Sequence, residues 1–298
     1  MSLTSIIQTK TNFIMKYYTV LSPVFLLRLF CVFFLISCEE EQVVSESFNE
    51  QNILALEEIE DVLLEVSSVI DEVYVNEEAT VEMKTAEKGN RYVPECAVKT
   101  VISSDGIKQV TIDFGDGCTG KNDKVFKGKL ILTYEKDRTL KTKEITHTFE
   151  NFYVNDKNIS GFSSSIKEKS NANGNRQSTF TEDIAINWES GDFASRQGTR
   201  VSEMIEGDGD RVWSNNVYEL SGSSISTLKN GTVHTVEITE KLRKELACRF
   251  IVIGTKEISK GSKSGVLDFG DGSCDAVATF TGMDGVVTQI SLEKKKRK

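Results

Sequence analysis

Glycine is confined to one part of this chain: all 21 glycines of the 298 residues lie at or beyond Gly89. Seven follow Asp or Asn, six of them in Asp105-Gly106, Asp116-Gly117, Asn173-Gly174, Asn230-Gly231, Asp271-Gly272 and Asp284-Gly285. Such dipeptides supply the positive-φ positions that tight hairpins require. Between them apolar and polar residues alternate, as in Lys108-Gln109-Val110-Thr111-Ile112-Asp113-Phe114 and Lys129-Leu130-Ile131-Leu132-Thr133-Tyr134. Period two with β-branched and aromatic residues marks half-buried strands. Residues 89–298 are therefore expected to fold as long antiparallel hairpins, mainly β in class, with 242–247 as the one place for a helical turn.

Upstream of that boundary the chain is of another kind. Residues 39–88 carry sixteen acidic and two basic side chains, net −14, whereas residues 89–298 carry 31 basic and 29 acidic, net +2. Leu56, Ile59, Leu63, Val66, Ile70 and Val73 recur at spacings of three and four among Glu57, Glu58, Glu60, Asp61 and Glu65. That pattern predicts an amphipathic helix over roughly 49–75. The stripe is too short for a free-standing coiled coil, which needs ~3–4 heptads. It is expected to pack on the β domain; exposure as a partner-binding helix is the other outcome. The acidic balance of the whole chain, formal charge −9, argues against a nucleic-acid binder, which needs a basic face.

The chain also repeats itself. Cys96 followed by Ile112-Asp113-Phe114-Gly115-Asp116-Gly117-Cys118 is matched by Cys248 followed by Leu267-Asp268-Phe269-Gly270-Asp271-Gly272-Ser273-Cys274. A weaker echo pairs Ile159-Ser160-Gly161-Phe162-Ser163-Ser164-Ser165-Ile166 with Leu220-Ser221-Gly222-Ser223-Ser224-Ile225. Two related halves are expected, with repeat units around 96–134 and 248–292. Each cysteine pair straddles its own hairpin, about residue 107 in one case and Gly261 in the other. Folding those hairpins brings the sulfurs of Cys96 and Cys118, and of Cys248 and Cys274, to facing strands within disulfide reach. These two bonds are the pairing expected of the three possible.

The N-terminus reads as a targeting segment. Met15-Lys16-Tyr17 offers a second start, making residues 1–14 an upstream extension, and Arg28 precedes an apolar run from Leu29 to Ile36. A basic n-region and a short h-region describe a secretory signal over 1–37 that cannot cross a bilayer as a mature helix. Leu35-Ile36-Ser37-Cys38 resembles the lipobox of bacterial lipoproteins, which implies acylation of Cys38 and a membrane anchor worth ~0.8 kcal/mol per buried methylene. Glu39-Glu40-Glu41 resembles the acidic surface-export signal of Bacteroidetes lipoproteins; an acidic tether within 38–88 is the plainer reading, so cell surface and periplasmic face both stay open.

Chemistry is harder to find. Asp113-Phe114-Gly115 and Asp268-Phe269-Gly270 spell the magnesium tripeptide of kinases but lack a Gly-rich phosphate loop and a His-Arg-Asp loop. Phe-Gly-Asp-Gly after a strand resembles polycystic-kidney-disease-type β-sandwich modules, which implies adhesion or glycan contact. Against this, Asp116, Gly117, Asp271 and Gly272 are expected to be structural turns, with the two Asp capping backbone amides and the two Gly at positive φ. Carboxylate pairs Asp113/Asp116 and Asp268/Asp271 are the other candidates, for acid/base work or weak calcium binding. Glu206-Gly207-Asp208-Gly209-Asp210 lacks the Gly and Glu of an EF-hand. His147 and His234 are too few for a zinc site or a serine triad and are read as strand residues. Trp188, Trp213, Tyr153 and Tyr218 are read as packing residues, a sugar platform being the alternative; Lys294–Lys298 form a solvated basic tail. No catalytic residue, metal or cofactor is expected.

Lipobox, acidic helix and repeated Asp-Phe-Gly-Asp-Gly units together resemble Bacteroidetes lipoproteins. The resemblance implies a place, lipid-anchored in the outer membrane through Cys38, and not a reaction; the function expected there is a non-enzymatic binding or structural role, with a protein or glycan ligand and no nucleic acid. A glycan-handling enzyme using Asp or Glu, or a calcium-assisted adhesion or glycan-binding module, is the alternative.

Overall fold

The computed structural model describes residues 48–79, 92–209 and 212–293. The signal segment, Cys38, Glu39–Glu41 and the basic tail lie outside them. A helix, α1 (Glu50–Glu78), is followed by fourteen strands: β1 (Val98–Ser104), β2 (Ile107–Asp113), β3 (Cys118–Thr119), β4 (Val125–Glu135), β5 (Thr142–Val154), β6 (Lys157–Glu168), β7 (Gln177–Trp188), β8 (Phe193–Glu206), β9 (Val217–Thr227), β10 (Val233–Glu245), β11 (Ile251–Lys260), β12 (Lys263–Asp271), β13 (Val277–Gly282) and β14 (Val287–Ser291). They form one antiparallel sheet in chain order, with the two-residue β3 set beside β4. The expected mainly β, hairpin-rich class with one N-terminal helix is what the chain adopts. The repeat units are the hairpins β1–β2 and β11–β12, joined within one continuous sheet. Residues 242–247 make no helical turn; β10 runs through Glu245 and turns Leu242 inward, because its neighbours β9 and β11 both pair with it there.

The helix starts where the sequence lets it. Asn49 keeps an extended backbone and its side-chain oxygen accepts from Gln51 N, satisfying one of the donors that the first turn leaves free. All six residues of the predicted stripe are buried, and so are Ile53, Val62 and Val69 beside it. Each such burial is worth about 1.5–3 kcal/mol. The helix is covered on more than one face, and it shares a single core with inward residues of the sheet such as Val110, Leu132, Ile145, Ile184 and Leu267.

What the helix does with its acid explains the charge split between the two parts of the chain. Glu57 accepts two bonds from Lys256 on β11, at 2.9 and 3.0 Å. Glu60 meets Arg196 and Arg200 on β8 at 2.9 and 3.1 Å. Asp71 pairs with Lys167 on β6, Glu78 with Lys143 on β5, and Glu77 with Lys99 on β1. Because these bases come from strands spread across the sheet, the sheet must curve round the helix. Apart from Lys99 these bases are buried at inward positions of their strands: Lys143, Ile145 and His147 share one face of β5, and Lys256 and Ile258 share one face of β11. A lysine stem packs as an apolar rod while its head finds a carboxylate.

Curvature of this kind needs strands that bend, and the weaker sequence echo supplies the bends. Gly161 in β6 and Gly222 in β9 stand at φ +111° and +134°. A Cβ there would lie 2.2 Å from the carbonyl oxygen of Asp183 and 2.1 Å from that of Thr199, respectively. Only glycine lets the neighbouring backbone come so close. The sheet slips register nearby, between His147 and Phe152 on β5 and between Glu237 and Leu242 on β10, as bulged, coiled sheets do.

Candidate functional site

The two cysteine pairs join as expected, Cys96 to Cys118 and Cys248 to Cys274, each with Cα atoms 5.8 Å apart. Between them the Asp-Phe-Gly-Asp-Gly segments are structural turns, but not in the detail foreseen. The backbone-capping bonds common to both copies come from the first Asp: Asp113 Oδ1 accepts from Gly115 N at 2.9 Å and Asp268 Oδ1 from Gly270 N at 2.8 Å. Asp271 adds a bond from Ser273 N at 3.2 Å, whereas Asp116 makes none. The positive-φ residues are Gly115, Gly270 and Gly272; Gly117 is not among them. Both copies bend at the first glycine, and only the second bends again, at Gly272; in the first, Phe114 N donates to Gly128 O at 2.8 Å and Gly128 N to Gly115 O at 2.9 Å, which clips the turn to β4. The motif's aromatic is its anchor. Phe114 packs between Phe126 and Phe152, and Phe269 lies beneath Lys256.

The second copy builds a wall of a cleft of about 680 Å3. Phe269 lines it with Arg249, Phe250 and Ile251, which follow Cys248 in the chain. Leu54 and Leu64 of α1, Leu292 and the β5–β6 turn at Asn155–Lys157 also line it. Glu50, Glu58, Asp61, Asp156 and Glu293 bring carboxylates to it. Concavity, apolar walls and a few polar groups are what a ligand site offers.

Electrostatics decide what chemistry that cleft can carry. Burial would raise the pKa of Glu60, but Arg196, Lys256 and Arg200 overcome it and hold the group at about 2. Glu57 goes the other way, since burial outweighs the pull of Lys256. Glu58 pairs with Lys157 at 2.8 Å and Asp61 pairs with Lys124. Deeper in, Lys244 is brought down to about 8 by burial, against the pull of Glu65 and Asp61. Its Nζ donates to the carbonyl oxygens of Cys248 and Arg249, both at 2.7 Å, so this lysine ties the start of the stapled hairpin to β10.

The remaining candidates take structural places. His147 sits between Ser163 and Ser165, 2.8 and 3.1 Å from their hydroxyls, and burial lowers it to about 3. It is neutral and walled in. His234 contacts Thr232 Oγ1 at 3.2 Å. Trp188 is capped by Lys229, 3.7 Å above the ring, while Trp213 and Tyr218 belong to a different wall, beside Asp71 and Leu246. Asp208 of the acidic loop pairs with Arg176 at 2.9 Å. Among the described residues no group of three or more His, Cys, Asp or Glu is placed to hold a metal ion.

One cluster had no counterpart in the sequence reading. Glu203 Oε1 accepts from the side-chain amides of Asn171, Asn173 and Asn175, each at 2.9 Å. Those three bonds, with Lys241 on the other oxygen, hold Glu203 at about 2. The alternating Asn-Ala-Asn-Gly-Asn run was the available signal; its partner thirty residues on was not visible. A carboxyl lowered from an ordinary 4.5 to about 2 on folding stabilises fully above the unfolded value and loses that contribution as pH falls toward the folded one. Glu203→Gln should therefore cost about 1–3 kcal/mol near neutrality, and the gap to the unsubstituted chain should close between pH 4.5 and 2. Urea midpoints across that range read it directly.

Comparison of the chain with protein-family models, with curated proteins and with solved structures finds no match.

Proposed function

We propose that this protein is a lipid-anchored envelope lipoprotein, attached to the outer membrane through Cys38, whose curved sheet serves as a non-enzymatic binding or structural scaffold. The observation that carries the reading is the pair of closed disulfides in a chain whose Leu35-Ile36-Ser37-Cys38 follows a short apolar segment. Disulfides persist in exported proteins, and the lipobox resemblance supplies the anchor. The cleft beside the second staple is the natural ligand-binding feature, for a protein or glycan partner.

A glycan-handling enzyme is the second reading, and one observation favours it. Glu57 and Glu60 are displaced in opposite directions on one helix face, as an acid and a carboxylate base would be. Against it, Lys256 engages both oxygens of Glu57 and two arginines engage Glu60. A structural ion-pair network produces the same displacements.

The anchor is tested by expressing the full chain with a fatty-acid analogue. Label and membrane fractionation should both vanish in Cys38→Ala; label retained in that variant would show that the anchor lies elsewhere.

A further inference from the structure

Among the described residues β1 pairs with β2 alone and is exposed at all seven positions, on both faces. Val98, Val101 and Ile102 are 64%, 42% and 56% exposed. Among the described residues nothing covers this edge, and an edge strand without proline or bulge invites another strand. The opposite edge is a shorter strand, β14, of five residues.

The turn fixes which backbone groups β1 offers. Asp105 and Gly106 have φ +50° and +81°, a two-residue turn with both central positions left-handed, and Ser104 faces Ile107 across it. In such a hairpin the residues flanking the turn form a hydrogen-bonded pair, and bonded and non-bonded pairs then alternate. Ser104, Ile102, Thr100 and Val98 thus spend their N–H and C=O on β2, and Ser103, Val101 and Lys99 turn theirs outward.

We infer that β1 pairs with β1 of a second copy of this chain, antiparallel, about a twofold axis at Val101. In that register Val101 faces its own counterpart and Lys99 faces Ser103, so the outward N–H and C=O of Lys99, Val101 and Ser103 on both copies are all satisfied. Centring the axis on Thr100 leaves Ser103 opposite Ala97, and centring it on Ile102 leaves Lys99 opposite Asp105, both outside the strand, so each of those registers makes fewer bonds. Centring it on Lys99 opposes two ammonium groups, which destabilises a pair. The Val101 register opposes no like charges, since Lys99, the one charged residue of β1, already reaches Glu77. On the outer face it places Val98 and Ile102 of each copy along one stripe, extended by Ile107. A single seven-residue strand pair buries less than the ~1,200 Å2 of standard stable complexes, so this is a weak dimer and self-association should emerge on the order of 100 μM.

The test uses the full chain in solution, where dimerisation does not depend on lipid attachment and is read separately from it. Two single-cysteine variants, Val101→Cys and Val98→Cys, are oxidised over a concentration series, with peptide mapping to show that the native disulfides are intact. Facing Val101 residues lie ~5.5 Å apart at Cα, within disulfide reach, whereas the two Val98 residues lie roughly 20 Å apart. Val101→Cys should give at least ten times more cross-linked dimer than Val98→Cys, although Val98 is the more exposed. Val101→Lys should abolish concentration-dependent sedimentation while leaving the melting temperature unchanged. Equal cross-linking at both positions, or an unmodified chain that sediments as a monomer at every concentration, would overturn the proposal.

Discussion

Glu60→Leu should lower folding stability by about 3–5 kcal/mol, the cost of stranding buried charge. Arg200 and Arg196 are 2% and 6% exposed at their side chains and reach Glu60 at 3.1 and 2.9 Å. Without Glu60 the two guanidinium groups would share Glu182 of β7, which Arg196 already contacts and Arg200 approaches at 3.7 Å. One carboxylate cannot neutralise two buried cations, and water has little access to help. Glu60→Leu combined with Arg200→Leu should recover a large part of the loss, because the second change removes the stranded charge. A surface control, Glu240→Leu on the exposed side of β10, should stay within about 0.5 kcal/mol. Urea unfolding of the four chains at neutral pH measures all of this. A loss under about 1 kcal/mol for Glu60→Leu would mean that the interior pairs are solvated and contribute little. The pair also has a pH signature. Glu60, at about 2 in the folded chain against an ordinary 4.5, gives its full contribution above 4.5 and loses it as pH falls toward 2.

Much of this architecture is legible in the residues. The Asn-Gly and Asp-Gly dipeptides and the alternation around Val110 and Leu132 mark the hairpins, and the symmetric cysteines mark the staples. The three-four spacing from Leu56 to Val73 marks the helix, which runs three residues past its expected end. What the pattern hides is how the acidic helix and the basic strands belong together. A lysine such as Lys143 or Lys256 reads as an outward residue that breaks an apolar alternation, yet its position in step with Ile145 or Ile258 puts it inside. The opposite net charges of the two parts were the collective trace of that pairing, but charge sums do not say which carboxylate meets which base. Gly117 shows a second limit. Two identical five-residue segments share the bend at Gly115 and Gly270, but only the second bends again at its last glycine, Gly272, while the first is tied to Gly128 of β4, a residue outside the motif. The cleft was likewise out of reach, since its walls come from α1, the β5–β6 turn, β12 and the end of β14.

The other large effect follows from placing the helix at the centre. Residues 92–298 expressed without α1 should not fold, even with both disulfides formed. Their inward face would expose Val110, Leu132, Ile145, Ile184 and Leu267 to water. It would also leave Lys108, Lys143, Lys167, Arg196, Arg200 and Lys256 facing one another without the carboxylates of Glu57, Glu60, Asp71, Glu77 and Glu78. Like charges concentrated on a concave face repel, and no apolar cover replaces nine buried helix residues. A fragment of residues 48–79 supplied in trans should restore folding if it is the missing core, and the same fragment with Glu57, Glu60, Asp71, Glu77 and Glu78 changed to amides should not. The measurement that tests this account most directly is thermal unfolding of residues 92–298 with and without the 48–79 fragment, followed by near-ultraviolet circular dichroism. A cooperative transition seen only with the acidic fragment is the result predicted, and a cooperative transition of residues 92–298 alone at a similar temperature would contradict it.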